Sequence, residues 1–451
     1  MADIRPFRGV LYNAEKVGDL AGVMAPPYDV ISPARQDELY DRHPNNVVRL
    51  ILGRTGDGPG GDRYSRAAEA LKEWTASGVL ARDPVPAIYY YTQTYPVGGR
   101  KALTRKGFIA LARLEDFGEG GVHPHEKTLS GPKADRLRLM QACGSNFSCI
   151  FSLYSEPELR INRLLDEASR AVEPIIDVTD DDGIVDLVWR IDDPVVLSDV
   201  RKIMEGKSLF IADGHHRYET ALNYRNSMRE ANPEAGPDAP FEFCMMYFSN
   251  MDDQGMTIWP THRVIHSLAG FDPEGFLAEV SEYFDVLYFP YTAATEAEAR
   301  DRMLTGKQAA EGGDRSAFGL HIRGRDVYYL LTLKGPETMD RVFGDSIPEV
   351  FKDLDVTVLH SLIFDRILGI TQEAQEKQTN LVYVKSYDDA LKAMHDETNQ
   401  LVFLLNATRI EQVKAVAESG EVMPQKSTYF YPKLLSGVVL NVHDGAEAAP
   451  A

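Results

Sequence analysis

The residues best suited to chemistry sit side by side: Asp213, Gly214, His215, His216 and Arg217. An apolar run from Leu209 to Ala212 stops at Asp213-Gly214, and Glu219 to Glu230 reads as a helix. A buried strand, a glycine turn and a helix start make an anion-binding geometry, because the first helical N–H groups lack intrahelical partners. His215, His216 and Arg217 can add charge-assisted hydrogen bonds to a phosphate held there. Asp213 offers a carboxylate to a divalent metal or to a substrate hydroxyl. The plainer reading is a common Asp-Gly turn with Asp213 as a helix cap. Two histidines and an arginine at one turn favour a site.

Four further groups are candidates. Ala25-Pro-Pro-Tyr-Asp-Val-Ile-Ser32 is a turn stiffened by two prolines that presents Tyr28 and Asp29. Asp29 reads equally as a general base or metal ligand and as a turn terminator. A polar stretch, Glu115 to Asp135, carries His123-Pro-His-Glu-Lys127 and then Lys133. His125, Glu126 and Lys133 suit a phosphate clamp on a closing loop, or a plain surface loop. Arg263, after Trp259-Pro-Thr-His262, is a phosphate or carboxylate fork or an internal salt bridge. Lys426, Ser427 and Thr428 can bind phosphate beside aromatics that could floor a base, or else lie on an alternating strand.

Other chemistries find less support. G-x-S-x-G is absent, so no nucleophile elbow is marked. Gly56-Asp-Gly-Pro-Gly-Gly61 fits G-x-G-x-x-G, but no acid ends the next strand about 20 residues on, where a ribose would need it. That glycine loop also lacks the Lys-Ser/Thr ending of a P-loop and reads as a connector. Cys143, Cys149 and Cys244 have no metal-ligand spacing and are expected to be reduced. A hydrolase built on a metal-binding histidine cluster remains a third option.

The elements that must position these groups follow from periodicity. Val47 to Leu52 is expected as a strand and Asp62 to Gly78 as a helix. Ala87 to Thr94 and Leu103 to Arg113 form a hairpin around Val97-Gly-Gly-Arg100, and Glu115 to Asp135 reads as a loop. Cys149 to Tyr154, Val185 to Ile191 and Phe241 to Phe248 are further strands, and Ala231 to Pro240 is a surface loop. Helices are expected to dominate after Ile265, with a second hairpin at Phe318 to Leu333 and a helix from Val356 to Leu368. A β-α-β-like tail follows from Leu381 to Thr408, and Asp444 to Ala451 is expected to fray. Two domains are expected, 1–265 and 266–451.

At 451 residues with a formal charge of −20, the chain opposes nucleic acid, which needs a concentrated basic surface. No window approaches the roughly 18 uncharged apolar residues of a membrane span, and the N-terminus lacks a signal-peptide core. A cytoplasmic location without membrane or nucleic-acid partners is the expectation.

ADGHHRYETA (212–221) resembles the signature of the bacterial and archaeal domain-of-unknown-function family numbered 1015. RPFRGVLYN (5–13), APPYDVIS (25–32), NNVVRLIL (45–52), WPTHRVIH (259–266), LDVTVLHSLI (354–363) and MPQKSTYFYPKLLSG (423–437) fit the same family. The DGHHR box is also similar to the G-x-H-R phosphate-binding turn of the ParB/sulfiredoxin superfamily, which includes archaeal free serine kinases. That resemblance implies an α+β fold with a mixed-sheet ParB/sulfiredoxin-like core and a second α/β domain. It implies a nucleotide-dependent phosphotransferase acting on a small hydroxyl substrate, free L-serine first, or the reverse phosphatase. Mg²⁺ with ATP or ADP would be the cofactor, with Asp213 holding the metal and Asp29 taking the hydroxyl proton. Where sulfiredoxin has its cysteine this chain has His215, which removes the redox nucleophile. The alternative is a non-catalytic nucleotide- or phosphometabolite-binding regulator, since ParB relatives use nucleotide as a switch.

Overall fold

The computed structural model describes residues 2–56, 61–97, 101–126, 130–312, 315–424 and 426–443. The expected glycine loop lies partly, and the tail from Asp444 wholly, outside the described residues, as does Lys127. The architecture is mixed α/β, built on one mixed sheet with several smaller sheets. The chain divides into two compact units. The first comprises Met1–Pro124, Thr128–Thr257 and Pro432–Ala451; the second comprises His125–Lys127 and Ile258–Tyr431. The division thus falls at 257/258 rather than 265/266, and the last segment belongs with the first unit rather than the second. Val10 and Leu440 exchange both backbone hydrogen bonds at 2.9 Å, which ties that segment in.

The first unit holds a nine-stranded sheet among the described residues. Its order is Val122–His123, Leu209–Asp213, Ile150–Tyr154, Phe243–Asn250, Leu103–Arg113, Ile88–Tyr95, Val185–Ile191 and Ile176–Thr179, with Ile4–Arg5 on Leu103–Arg113. Leu209–Asp213 runs parallel to Val122–His123, and Phe243–Asn250 parallel to Ile150–Tyr154; the other neighbours are antiparallel.

Successive side chains alternate faces along each strand. Tyr90, Phe108, Met246 and Phe248 share one face and join a buried core, with the Phe108 and Phe248 rings stacked at 5.0 Å. The helix His215–Ala231 buries Tyr218, Ala221 and Leu222 in that core. Each such large apolar side chain contributes roughly 1.5–3 kcal/mol by leaving water. Tyr91, Gln93, Arg105 and Asp186 alternate onto the other face, which is unusually polar for a buried surface.

Three local expectations change. Val48–Ile51 is a short helix, not a strand. Asn46 Oδ1 accepts from Val48 N at 2.9 Å, and its amide donates to the Gly22 and Met24 carbonyls. An apolar run buried all round has no period to distinguish the two states. The stretch read as a loop to Asp135 already contains the start of the helix Ser130–Cys143, which packs on His215–Ala231 through Lys133 and Glu219. The segment expected as a helix from Val356 is helical, but Val358–Ile367 is a π-helix.

The second unit is organised by a six-stranded antiparallel sheet rather than by helices. Its order is Phe284–Pro290, Val327–Leu333, Ala317–Ile322, Asn399–Leu404, His262–His266 and Leu381–Val384. Helix Glu296–Gly312 places Ala299 and Met303 in its core. No helix among the described residues is long and apolar enough to cross a membrane.

Candidate functional site

The strand Leu209–Asp213 ends where Gly214 turns at φ +93°, and the helix begins at His215. The backbone angle calls for glycine, and a Cβ there would also stand 2.9 Å from Arg217 Nε, so the arginine end would have to shift. No side chain caps the helix, which leaves its first N–H groups to other partners. Gly214 N donates to Asp213 Oδ1 at 3.0 Å. On the other oxygen, Oδ2, Lys433 Nζ stands at 3.3 Å and Arg217 Nη2 at 3.5 Å. Arg217 also donates to the Cys149 carbonyl. Burial alone would raise the Asp213 carboxyl, but Lys433, Arg217 and His215 together hold it well below the usual carboxylate range. His215 is buried and His216 half-buried on the first helical turn.

The polar face of the sheet leads to this turn. Asp213 pairs with Phe151, and Phe151 with Tyr247. The Arg105 guanidinium lies 4.6 Å from the Phe151 ring centre and 5.7 Å from that of Tyr247. Arg105 is fully buried; Nη2 donates to Gln93 Oε1, while Nε and Nη1 have no hydrogen-bond partner. Gln93 Nε2 donates to Asp186 Oδ1 at 2.8 Å and to the Lys433 carbonyl at 3.0 Å. Tyr91 donates to the same Asp186 oxygen at 2.5 Å. Burial pushes the Asp186 carboxyl up to about 7 against these two donors, and its Oδ2 is unpartnered.

Asp29 is exposed on the short turn Tyr28–Val30. Burial raises the neighbouring Tyr28 hydroxyl, on which the charges of Arg136, Arg217, Asp29 and Asp213 all act. The proline turn and the Asp213 turn therefore meet at Tyr28. A small cavity of about 60 Å³ is lined there by Tyr28, Arg136, Arg217 and Thr220, whose buried hydroxyl has no partner. Lys133 is paired with Glu219 at 2.6 Å on the facing helix. Among the described residues no three His, Cys, Asp or Glu side chains converge as metal ligands.

The remaining candidates belong to the second unit and interlock with one another. His125 Nε2 contacts Thr428 Oγ1 at 2.9 Å, and Glu126 Oε1 accepts from Lys426 N at 3.0 Å. Ser427 Oγ donates to the Pro424 carbonyl at 2.6 Å. Arg263 is buried, and its guanidinium donates to His360 Nε2 at 3.3 Å, to the Lys426 carbonyl at 3.1 Å and to the Thr261 carbonyl. Its internal alternative is therefore the one realised, although with neutral acceptors rather than a salt bridge. These contacts hold Pro424 and Lys426 to Thr428 in place.

Sequence reasoning missed Arg105, Asp186 and the pairing role of Lys433. Arg105 and Asp186 are charged residues inside segments that read as strands, but Lys106 and Arg190 are too, so no signal in the sequence singled them out. The expected reduced cysteines are free thiols, and burial pushes the Cys149 thiol up to about 12.

Comparison with solved structures finds remote likenesses. A free serine kinase in complex with AMP is 13% identical, with 74% of this chain and 91% of that chain covered at a TM-score of 0.34. A mutant free serine kinase in complex with ADP is 14% identical, covering 74% and 92% at 0.34. A conserved hypothetical protein from Pyrococcus furiosus is 15% identical, covering 74% and 95% at 0.32. No curated protein matches the chain. The family model described as protein of unknown function (DUF1015) matches residues 4–357, and the chain belongs to that family.

Proposed function

We propose that the first unit binds the phosphates of a nucleotide at the Asp213–Gly214–His215 turn and serves a phosphotransferase acting on a small hydroxyl compound, L-serine foremost. The observation that carries this reading is a local excess of positive charge in a strongly acidic chain. Arg217 and Lys433 flank one carboxylate at an uncapped helix N-terminus. Arg105 lies across Phe151 with its buried Nε and Nη1 unspent. An oxyanion at the turn would meet the helix N-terminus, Arg217 and Lys433 together. Phosphoryl transfer asks little more of a protein than positioned phosphates, neutralised charge and an aimed nucleophile.

In this scheme Gly214, His215, His216 and Arg217 cradle phosphate, and Asp29 takes the hydroxyl proton. Asp213, tied to two cations and held ionised, orients Lys433 and Arg217 rather than acting as a base. Asp213 is the carboxylate at the turn that would hold a Mg²⁺ carried on the nucleotide's phosphates, and the ion would supply further charge neutralisation there. Lys133, on the helix facing His215–Ala231, takes a positioning role through Glu219. The nine-stranded sheet and its turn are then the ParB/sulfiredoxin-like core that the DGHHR box implies. The remote likeness to nucleotide-bound serine kinases adds no weight.

The test incubates purified protein with L-serine, Mg²⁺ and ATP or ADP and follows phosphoserine by mass spectrometry, with calorimetric titration of each nucleotide. Phosphoserine formation lost in Asp29→Asn supports the transferase. Nucleotide binding without turnover of any small hydroxyl compound leaves the regulatory binder. Absence of nucleotide binding overturns the reading.

A further inference from the structure

We propose that the second unit carries a ligand site of its own, a cavity that takes a small organic cation, an amine or guanidine on a compact apolar body. This does not rest on the reading of the first unit. The cavity measures about 340 Å³, room for a compact metabolite, and its wall includes Phe351, Thr357, His360, Asp365, Glu376 and Tyr383.

The backbone that builds it is unusual. Val358–Ile367 winds as a π-helix, closed by Leu368 N donating to the Ile363 carbonyl at 2.9 Å. Such wide turns are rare and occur frequently at functional sites. Here the extra residue per turn lets His360 and Asp365, five apart, both reach the same cavity. Three blocks that carried the sequence resemblance meet around it: LDVTVLHSLI supplies Thr357 and His360, the 423–437 block supplies Pro424, and Arg263 of WPTHRVIH holds His360 from behind.

The lining chemistry selects the charge of the occupant. His360 is fully engaged: Nε2 accepts from Arg263 Nε, and Nδ1 faces Gln375 Oε1 at 2.8 Å. Burial first, and Arg263 second, keep this imidazole neutral by lowering it to about 3. The ionised groups left on the wall are Asp365 and Glu376, both exposed at the cavity's edge, and no lysine or arginine lines it among the described residues. Two carboxylates at the mouth would draw a cation, and Phe351 gives its body an apolar wall, while the Tyr383 ring already carries the Arg263 guanidinium 5.2 Å from its centre. Inside, Thr357 is 5% exposed and its hydroxyl has no hydrogen-bond partner. A buried hydroxyl left unpaired is costly, and a ligand N–H would satisfy it.

The experiment titrates the full-length protein calorimetrically with agmatine and putrescine, using succinate as a dicarboxylate control. Asp365→Asn/Glu376→Gln and Thr357→Val are compared with the unaltered chain, with melting temperatures confirming that each variant folds. The expected result is saturable binding of at least one amine, weakened tenfold or more in the double variant and severalfold in Thr357→Val, with no binding of succinate. Failure of both amines to bind, binding indifferent to all three substitutions, or equal binding of succinate would overturn the proposal.

Discussion

Lys433 Nζ lies 3.3 Å from Asp213 Oδ2, while the carbonyl of the same lysine accepts from Gln93 Nε2 at 3.0 Å. One residue of the returning segment thus joins the Asp213–Gly214 turn to the polar face of the sheet. Its ammonium and the Arg217 guanidinium keep Asp213 ionised in a largely buried place.

Lys433→Met should therefore weaken both stability and acid resistance. Removing one of two cations from a partly buried carboxylate costs about 1–3 kcal/mol. Because the folded carboxyl is held below its unfolded value, the stability it contributes is present above about pH 4 and is lost as pH falls through the folded value. The variant, with that depression reduced, should unfold at a higher pH on acid titration than the unaltered chain, as followed by far-UV circular dichroism. An unchanged acid midpoint would dissociate Lys433 from Asp213.

Gly214→Ala tests the turn itself. The substitution meets a φ of +93° and the Arg217 guanidinium at 2.9–3.0 Å, whereas Gly118→Ala meets a φ of +83° and open space. Gly118→Ala should cost about 1–2 kcal/mol for the backbone alone. Gly214→Ala should cost more, about 2–4 kcal/mol, because the arginine must also move. Urea midpoints of the two variants measure the difference; equal losses would show that Arg217 yields freely.

Arg105→Met separates binding from folding. The guanidinium is buried with its Nε and Nη1 unspent, so an apolar side chain of similar length leaves only Gln93 Oε1 without its donor and should cost no more than about 1–3 kcal/mol. The same substitution should abolish the thermal stabilisation by inorganic phosphate or nucleotide that the proposed function predicts for the unaltered chain. A large loss of stability without ligand, or an undiminished thermal shift, would contradict an anion-binding role for Arg105.

Much of this arrangement was legible in the sequence because it follows local rules. The apolar run Leu209 to Ala212, the glycine and the helix after it read correctly, since strand, turn and helix each leave a short-range pattern. Val48–Ile51 did not, because an apolar stretch flanked by Asn46 becomes a helix only through the hydrogen bonds that Asn46 makes to Gly22 and Met24. Lys433 was visible as a lysine in a promising block, but its partner lies on a strand far earlier in the chain, and only tertiary pairing brings them together. Arg263 left two readings open in the sequence, a carboxylate or phosphate fork and an internal salt bridge, and the fold engages it internally with His360 and two backbone carbonyls.

Asp186 gives the opposite pH dependence from Asp213. Its carboxyl, pushed up to about 7 by burial, keeps its proton in the folded chain while the unfolded chain releases it near pH 4. The folded state then binds more protons across that window, so stability is fullest below about pH 4 and falls as pH rises towards 7. The size of the fall is about 2–4 kcal/mol, since each unit of displacement is worth about 1.4 kcal/mol. Asp186→Asn keeps the shape and an acceptor for Tyr91 and Gln93 but cannot ionise. Urea midpoints at pH 5 and pH 7.5 should therefore differ less in this variant than in the unaltered chain. An equal difference in both would mean that Asp186 ionises as easily folded as unfolded, and that its contacts with Tyr91 and Gln93 offset its burial completely.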